Sequence, residues 1–140
     1  MIVRDIMSVK VAWVAPNTPL VEVAKLMQRE DIGSVPVCEQ DRLQGIITDR
    51  DLVIRAIASG KNSNSLNASD IMSTKVITVS PDTDAHEASQ IMAREQIRRL
   101  PVMENSKLVG IMALGDLAVE RIHVDEAGEA LSDISQSVHH

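Results

Sequence analysis

The segment Gly45–Asp51, with the sequence GIITDRD, carries the residue types best suited to bind a small polar ligand. An apolar strand is predicted to end in it and a helix to begin. Free backbone N–H groups and the positive end of the helix dipole favour a phosphate there. The Thr48 hydroxyl can donate to a phosphate oxygen, and the Asp51 carboxylate can accept hydrogen bonds from two vicinal ribose hydroxyls.

The same residues also form a capping box, in which an acidic side chain folds back onto the backbone N–H of the helix N-cap. A matching segment, Gly110–Asp116 (GIMALGD), keeps the acid but has Ala113 in place of Thr48. Without the threonine hydroxyl the reciprocal cap is incomplete, so capping explains Asp116 poorly. The retention of the acid in both copies therefore modestly favours a ligand role. Both interpretations stay open at this point.

Arg98 and Arg99, in the sequence IRRLPV, form a second candidate site at the start of a predicted strand. Two adjacent arginines can bind a phosphate through paired N–H donors. The matching residues, Gly33 and Ser34, cannot replace that charge. The alternative is a pair of solvated charges near neighbouring glutamates.

No catalytic or metal-binding pattern is present. The sequence has no nucleophile elbow, CxxC pair, HExxH motif, P-loop or Gly-rich dinucleotide fingerprint. The methionines fall mostly on predicted apolar faces and are interpreted as core residues. We therefore expect neither an enzyme nor a metal site. The histidines are scattered, namely His86, His123, His139 and His140.

The elements that must position these residues occur twice. Asp5–Leu52 aligns with Asp70–Leu117 without a gap, and 22 of the 48 pairs are identical. A repeat of fixed period sets the architecture of a chain. We predict repeats at 3–60 and 70–124, a linker at 61–69 and a tail at 125–140. Halves of roughly 60 residues are marginal alone, so we expect them to share an interface.

Each repeat shows the same order of signals and predicts a β-α-β-β-α unit. Short β-branched runs predict first strands, and a proline ends each of them. Threonines that follow predict helix N-caps, with Pro19 in the first helical position. The first strands are Val11–Val14 and Val76–Val79, the N-caps are Thr18 and Thr83, and the helices end near Asp31 and Gln96.

The second half of each repeat predicts a hairpin followed by a helix. A polar turn joins the two strands of each hairpin, and Gly60 suits the end of the first of these helices. The predicted strands are Val35–Cys38 with Leu43–Thr48 and Leu100–Met103 with Leu108–Ala113, and the helices are Asp51–Ser59 and Asp116–Ile122.

The amino-acid composition argues against nucleic acid and membranes as binding partners. A net charge of −6 disfavours nucleic acid, which needs a basic face, and Trp13 is the only aromatic residue available for base stacking. No apolar run approaches the roughly 18 residues that would span a membrane. The N-terminal residues do not resemble a signal peptide. One cysteine, Cys38, excludes an internal disulfide and suggests a reducing cytoplasm.

The repeated unit resembles the CBS domain, named for cystathionine β-synthase. The matching motifs are DIMS, the strand–Pro–Thr–helix entries VAWVAPNT and VITVSPDT, the hairpins IGSVPV and IRRLPV, and GIITDRD. The resemblance covers about residues 3–122 and is closest to small stand-alone bacterial CBS pairs. It implies an α/β (α+β) fold in which two tandem β-α-β-β-α repeats pack about a pseudo-twofold axis.

The resemblance also implies ligand contacts for particular residues. Family members often bind AMP, ADP, ATP, S-adenosylmethionine or NAD in clefts between the repeats. By position, Thr48 would contact phosphate, Asp51 and Asp116 would contact ribose, and Ala113 departs from the pattern. The residues implied on the approach to adenine are Val11, Ala12, Val76 and Ile77. The residues implied at the open ends of the two hairpins are Ser34, Val35, Pro36, Asp49, Arg98, Arg99, Leu100 and Pro101.

These observations predict a non-catalytic regulatory module that binds an adenosine-containing ligand, better at Thr48 and Asp51 and with Arg99 reaching across. No cofactor is required. The alternative is an interaction protein with degenerate clefts and no nucleotide binding. We also expect a downstream protein partner of unknown identity and a homodimer, because the helices Leu20–Glu30 and Asp51–Ser59 carry apolar residues on more than one side. The alternative to a dimer interface is that these apolar residues all point into a shared core.

Overall fold

A computed structural model gives the structure of residues 1–119. The predicted tail at 125–140 and the predicted end of the last helix at Ile122 lie outside these described residues. None of the helices within 1–119 combines the length and the apolar character needed to cross a membrane.

The chain forms two compact units that do not coincide with the sequence repeats. One unit, called unit 2 here, is the continuous segment Ala12–Val76. The other, unit 1, joins Met1–Val11 to the chain from Ile77 onward. The repeat boundaries at 3–60 and 70–124 therefore remain a prediction from sequence similarity, while the compact units divide the chain elsewhere.

Both units contain helices and one antiparallel hairpin, so the fold is of the α+β type that the sequence predicts. Unit 2 contains α1 (Leu20–Glu30), β1 (Ser34–Glu39), β2 (Arg42–Thr48), α2 (Asp49–Asp51), a π-helix (Leu52–Ile57), a 3₁₀ turn (Ser63–Ser65) and α3 (Ala68–Ile71). Unit 1 contains a 3₁₀ turn (Val3–Asp5), α4 (Ala85–Glu95), β3 (Arg99–Glu104), β4 (Lys107–Ala113) and α5 (Leu114–Val119).

The hairpins match the prediction closely. β1 pairs with β2, and β3 pairs with β4, and each second strand carries one bulge, at Gln44 and at Val109. Both residues of each two-residue loop have positive φ, as in the type I′ turns that suit the twist of a hairpin. These loop residues are Gln40 with Asp41, and Asn105 with Ser106.

The predicted first strands are wrong in extent. Of Val11–Val14 only Val14 lies beside a strand, in a single parallel bridge to Val37, and Val79 makes the equivalent bridge to Val102. The physical reason is that Val11 belongs to unit 1 and Ala12 to unit 2. The run passes from one unit to the other, so only its last residue can pair.

The threonine N-caps are also wrong, although the predicted helix ends are confirmed. Pro19 is the N-cap of α1 rather than its first residue, and Asp84 caps α4 by accepting a hydrogen bond from the His86 N–H. Thr18 and Thr83 instead accept hydrogen bonds from backbone N–H groups three residues earlier, which closes the turn before each helix. At the other end, α1 and α4 stop before left-handed residues, Asp31 and Gln96.

The segment that opens each repeat packs on the hairpin of the other repeat. In unit 2, Ser73 and Ile46 exchange two backbone hydrogen bonds of 2.9 Å. In unit 1, Ser8 and Ile111 do the same, at 2.8 and 2.9 Å. Glycine is required at the contact: a Cβ on Gly45 would lie 2.7 Å from the Ser73 carbonyl oxygen and 2.8 Å from the Met72 sulfur.

The methionines mostly serve as core residues, as predicted. Met27, Met92 and Met112 are buried, while Met7 and Met72 are partly buried and pack against the cores of their units. The remaining core consists of Val, Ile, Leu and Ala side chains. Aliphatic and methionine side chains therefore fill both core clusters, and Trp13 lies outside them, half-exposed.

Because the thiol of Cys38 is buried, we expect the folded protein to lose stability at alkaline pH. Burial, helped by the charge of Asp41, raises the pKa of its thiol to about 11. A thiol in an unfolded chain titrates near about 8.5. The stabilisation from the neutral thiol is therefore complete below that pH and is lost as the pH rises toward the folded value.

Urea denaturation at several pH values measures this effect. Between about pH 8.5 and 11 we expect the free energy of unfolding to fall by about 2 kcal/mol more in the wild type than in Cys38→Val. Valine fills a similar volume and does not titrate. Parallel pH profiles for the two proteins would contradict the prediction.

Candidate functional site

The residues of GIITDRD lie at the mouth of the unit 2 hairpin, where β2 passes into α2. Thr48 is the N-cap, and its hydroxyl oxygen accepts from the Asp51 N–H at 3.1 Å. The Thr48 N–H donates to Asp51 Oδ2 at 2.9 Å. The capping box is therefore fully formed. It bonds one oxygen of the Asp51 carboxylate to the backbone at the end of β2, and only 18% of the Asp51 side chain is exposed.

The capping box does not use up the polar groups that a ligand would need. Thr48 acts as an acceptor in the cap, so its hydroxyl hydrogen is still able to donate. Each carboxylate oxygen of Asp51 has two lone pairs, and the cap occupies one on Oδ2. Ser34 faces Thr48 across the hairpin, which places a second hydroxyl on the same face.

The equivalent mouth in unit 1 corrects an inference from the sequence. Asp116 Oδ2 accepts from the Ala113 N–H at 2.9 Å, although Ala113 has no side chain to complete the box. The bond from the backbone to the acid does not depend on the N-cap side chain. Capping therefore accounts for Asp116 after all, and its retention does not by itself favour a ligand role.

Arginine replaces the hydroxyls in unit 1. Arg99 faces Ala113 across β3 and β4, at the position that Ser34 holds in unit 2. Arg99 is half-buried, and this burial lowers the pKa of its guanidinium, whereas the negative charge of Asp116 acts in the opposite direction. Arg99 and Asp116 thus share one electrostatic environment. Arg98 is exposed.

The residues beside each mouth differ in charge as well. The Asp49 N–H donates to the Gly33 carbonyl at 2.9 Å, and the Leu114 N–H donates to the Arg98 carbonyl at 2.8 Å. A Cβ on Gly33 would lie 3.1 Å from Asp49 Oδ2, so the Asp49 carboxylate fills the space beside the glycine. Unit 2 has an acid where unit 1 has a leucine.

Four of the predicted contacts are buried strand residues. Val35 and Leu100 are fully buried in the cores of their units, so their side chains are committed to packing. Pro36 and Pro101 are also buried, and their carbonyl groups accept the bridging hydrogen bonds from Val14 and Val79.

The predicted adenine contacts fall at the two points where the chain passes between units. Val11 ends the first piece of unit 1 and Ala12 begins unit 2, while Val76 ends unit 2 and Ile77 begins the rest of unit 1. All four are partly exposed and lie outside regular secondary structure. Ile77 also packs against the core of unit 1.

Arg55 is a polar residue of this region that the sequence interpretation missed. Its Nε lies 3.7 Å from Asp51 Oδ1, an i,i+4 pair on the helix that follows β2. The spacing of opposite charges, Asp51 and Arg55, is the signal that indicates such a pair in a sequence.

Among residues 1–119 no group of three or more His, Cys, Asp or Glu side chains is placed to hold a metal ion. His86 is exposed in the first turn of α4, where its backbone N–H completes the Asp84 cap.

Comparison with known proteins identifies the fold and the repeat. The family model for the CBS domain matches residues 3–57 and 68–122. The chain belongs to the CBS domain family. The CBS domain-containing protein YhcV of Bacillus subtilis is 44% identical over 138 residues, which is 98% of each chain.

Two solved CBS structures carry ligands. Hypoxic Response Protein I, with two coordinated zinc ions, is similar at a TM-score of 0.79 and 35% identity over 86% of this chain and 98% of that one. The CBS domain pair of protein MJ0100, in complex with 5′-methylthioadenosine and S-adenosyl-L-methionine, gives a TM-score of 0.74 and 27% identity over 85% and 94% of the two chains.

Proposed function

We propose that this CBS pair is a non-catalytic regulatory module that binds an adenosine-containing ligand. The observation that carries the proposal is the mouth of the unit 2 hairpin, which combines the hydroxyls of Ser34 and Thr48 with the fixed Asp51 carboxylate. A carboxylate with lone pairs to spare suits a ribose diol. The adenosine compounds in the MJ0100 CBS pair support this chemistry.

The two mouths differ in the part of the ligand that they would favour. Arg98 and Arg99 in unit 1 would attract a phosphate, because a guanidinium binds phosphate oxygens through paired donors. In unit 2 the Thr48 hydroxyl would donate to one phosphate, whereas the Asp49 carboxylate would make further phosphate groups unfavourable. We propose that unit 1 tolerates additional phosphate groups better than unit 2 does.

A thermal-shift series tests the function. A ligand that binds only the folded protein raises its stability, by about 2.7 kcal/mol at a concentration of 100 times its dissociation constant. We expect a rise in melting temperature with at least one of AMP, ADP, ATP, S-adenosylmethionine and 5′-methylthioadenosine. No rise with any of them would favour the interaction protein without nucleotide binding.

A regulatory module must pass its state to another protein. Ligand binding can shift an equilibrium between two arrangements only by its differential affinity for them. We propose that such a shift is read by a downstream protein in the cytoplasm. The cytoplasmic location follows the sequence argument from the single cysteine.

We also propose that the protein is a homodimer, through the helix that follows β2. Val53, Ile54 and Ile57 are all more than half exposed there, and Ile57 reaches 69%. The first two also line a shallow groove of about 330 Å³ with Asp49 and Arg50. By contrast, α1 buries Leu20, Val23 and Met27 in its own unit and adds no large exposed hydrophobic residue.

Light scattering after gel filtration tests the dimer. We expect wild-type protein at twice the chain mass and the double variant Ile54→Glu/Ile57→Glu at the chain mass, because two buried carboxylates in an interface are strongly unfavourable. Val9→Glu is the control, since Val9 is 74% exposed and lies in unit 1. A dimer that survives the double substitution would exclude this surface.

A further inference from the structure

Arg55 joins the Asp51 carboxylate to the end of α3. Its Nε is 3.7 Å from Asp51 Oδ1, and its Nη1 donates to the Ile71 carbonyl at 3.2 Å and the Met72 carbonyl at 3.5 Å. About half of the Arg55 side chain, 52%, is exposed. One guanidinium therefore contacts a side chain on its own helix and the backbone of a segment 16 residues further along the chain.

The contacts on the backbone give Arg55 a fixed anchor. The last carbonyl groups of a helix have no partner within the helix, and α3 ends at Ile71. Beyond it, Ser73 is held on β2 by two hydrogen bonds with Ile46. A guanidinium that is bonded to this segment has less freedom than a surface arginine, so it can orient a neighbouring carboxylate.

Together with the capping box, Arg55 gives each oxygen of the Asp51 carboxylate a partner, a hydrogen bond for Oδ2 and an ion pair at 3.7 Å for Oδ1. Oδ2 accepts from the Thr48 N–H, and Oδ1 faces Arg55. A carboxylate held on both oxygens keeps its plane fixed. Its second pair of lone-pair sites then points in set directions, which is what simultaneous bonds to two vicinal hydroxyls require.

The other unit has no such arrangement in its sequence. The position 65 residues after Arg55 is Glu120, which has the opposite charge. The arginine near Asp116 is Arg99, which comes from β3 instead. The two acids of the repeat therefore have cationic neighbours from different elements.

We propose that Arg55 is a positioning residue for ligand binding in unit 2. It holds the Asp51 carboxylate in the orientation that accepts the 2′- and 3′-hydroxyls of a ribose. This role rests on the proposed function and adds a residue to it. Arg55 does not itself contact the ligand; it acts through Asp51.

Titration calorimetry with two nucleotides separates positioning from general stability. The probes are AMP and 2′,3′-dideoxy-AMP, which lacks the hydroxyls that Asp51 would bind. The background is Asp116→Asn, so that the acid of unit 1 does not contribute. We expect Arg55→Met to weaken AMP binding about 10-fold and dideoxy-AMP binding less than 2-fold.

Two further variants complete the test. Arg55→Lys keeps the positive charge but lacks the planar guanidinium, and we expect it to recover part of the AMP affinity. If Arg55→Met does not fold, the loss of AMP affinity in Arg55→Lys relative to the Asp116→Asn parent is measured instead. Arg29→Met removes an exposed arginine that is paired with its neighbour Glu30, and should leave both affinities unchanged.

The outcomes are distinct. Equal losses for the two nucleotides, or no loss for either, would overturn the positioning role while leaving adenosine binding in place. If the parent protein binds neither nucleotide, the role of Arg55 is overturned; the proposed function itself fails when the thermal-shift series also shows no binding of any adenosine compound.

Discussion

Asp51→Asn is expected to weaken binding of adenosine compounds about 10- to 100-fold while leaving the fold intact. The asparagine oxygen can still accept from the Thr48 N–H, so the cap seen at 2.9 Å is kept. What is lost is the negative charge and an acceptor for the second ribose hydroxyl. Hydrogen bonds to charged groups contribute about 1.5–3 kcal/mol, which gives the expected range. Titration calorimetry measures the affinity and a melting curve checks the fold.

Two matched variants show whether the effect belongs to the site. Asp31→Asn removes an exposed carboxylate at the left-handed end of α1, a conformation that asparagine tolerates, and should leave affinity unchanged. Asp116→Asn tests the equivalent acid of unit 1, which is bonded to the Ala113 N–H. Wild-type affinity in Asp51→Asn would remove the carboxylate from the proposed site.

Gly45→Val is expected to destabilise the protein by about 2–4 kcal/mol, or lower its melting temperature by roughly 10 °C. The new Cβ would lie 2.7 Å from the Ser73 carbonyl oxygen, which is backbone and is bonded to Ile46. Relief of this overlap requires the segment after α3 to move off β2, and so costs the two backbone hydrogen bonds there. Urea denaturation gives the change in free energy.

Gly115→Ala is the control for this substitution. A Cβ on Gly115 has no neighbour within 4 Å, and the residue lies in α5. Alanine is a better helix former than glycine, so stability should be unchanged or rise by up to about 1 kcal/mol. If Gly45→Val were as stable as Gly115→Ala, the close approach of Ser73 to β2 would be wrong.

The sequence predicted the hairpins and helix ends well because their signals are local. Short apolar runs on either side of a polar turn, Glu39–Arg42 or Glu104–Lys107, define each hairpin almost to the residue, and helical periodicity ends near Asp31 and Gln96. The prediction of a strand at Val11–Val14 was wrong in extent. Its β-branched residues favour a strand, but the run makes one strand bridge, from Val14 to Val37. Propensity does not reveal whether a neighbouring strand is available.

The candidate site could be located from the sequence, but its internal bonds could not. The motif placed Thr48 and Asp51 together, whereas the cap on Asp116 without a side-chain partner depends on backbone geometry that the residue types do not record. Arg55 was missed because its contacts with Ile71 and Met72 join positions 16 and 17 residues apart. Such contacts follow from packing rather than from any short motif.

The segment that opens each repeat packs on the hairpin of the other repeat, and this arrangement has a consequence for biosynthesis. Ser8 pairs with Ile111, so the first piece of unit 1 is synthesised before unit 2 and its partner strand after it. Unit 2 is continuous and can close while the ribosome is still working. Ser8 has no strand partner until β4 emerges. A nascent chain that stops before β4 would therefore expose two apolar residues, Val3 and Ile6, that belong to the core cluster completed by the later part of unit 1.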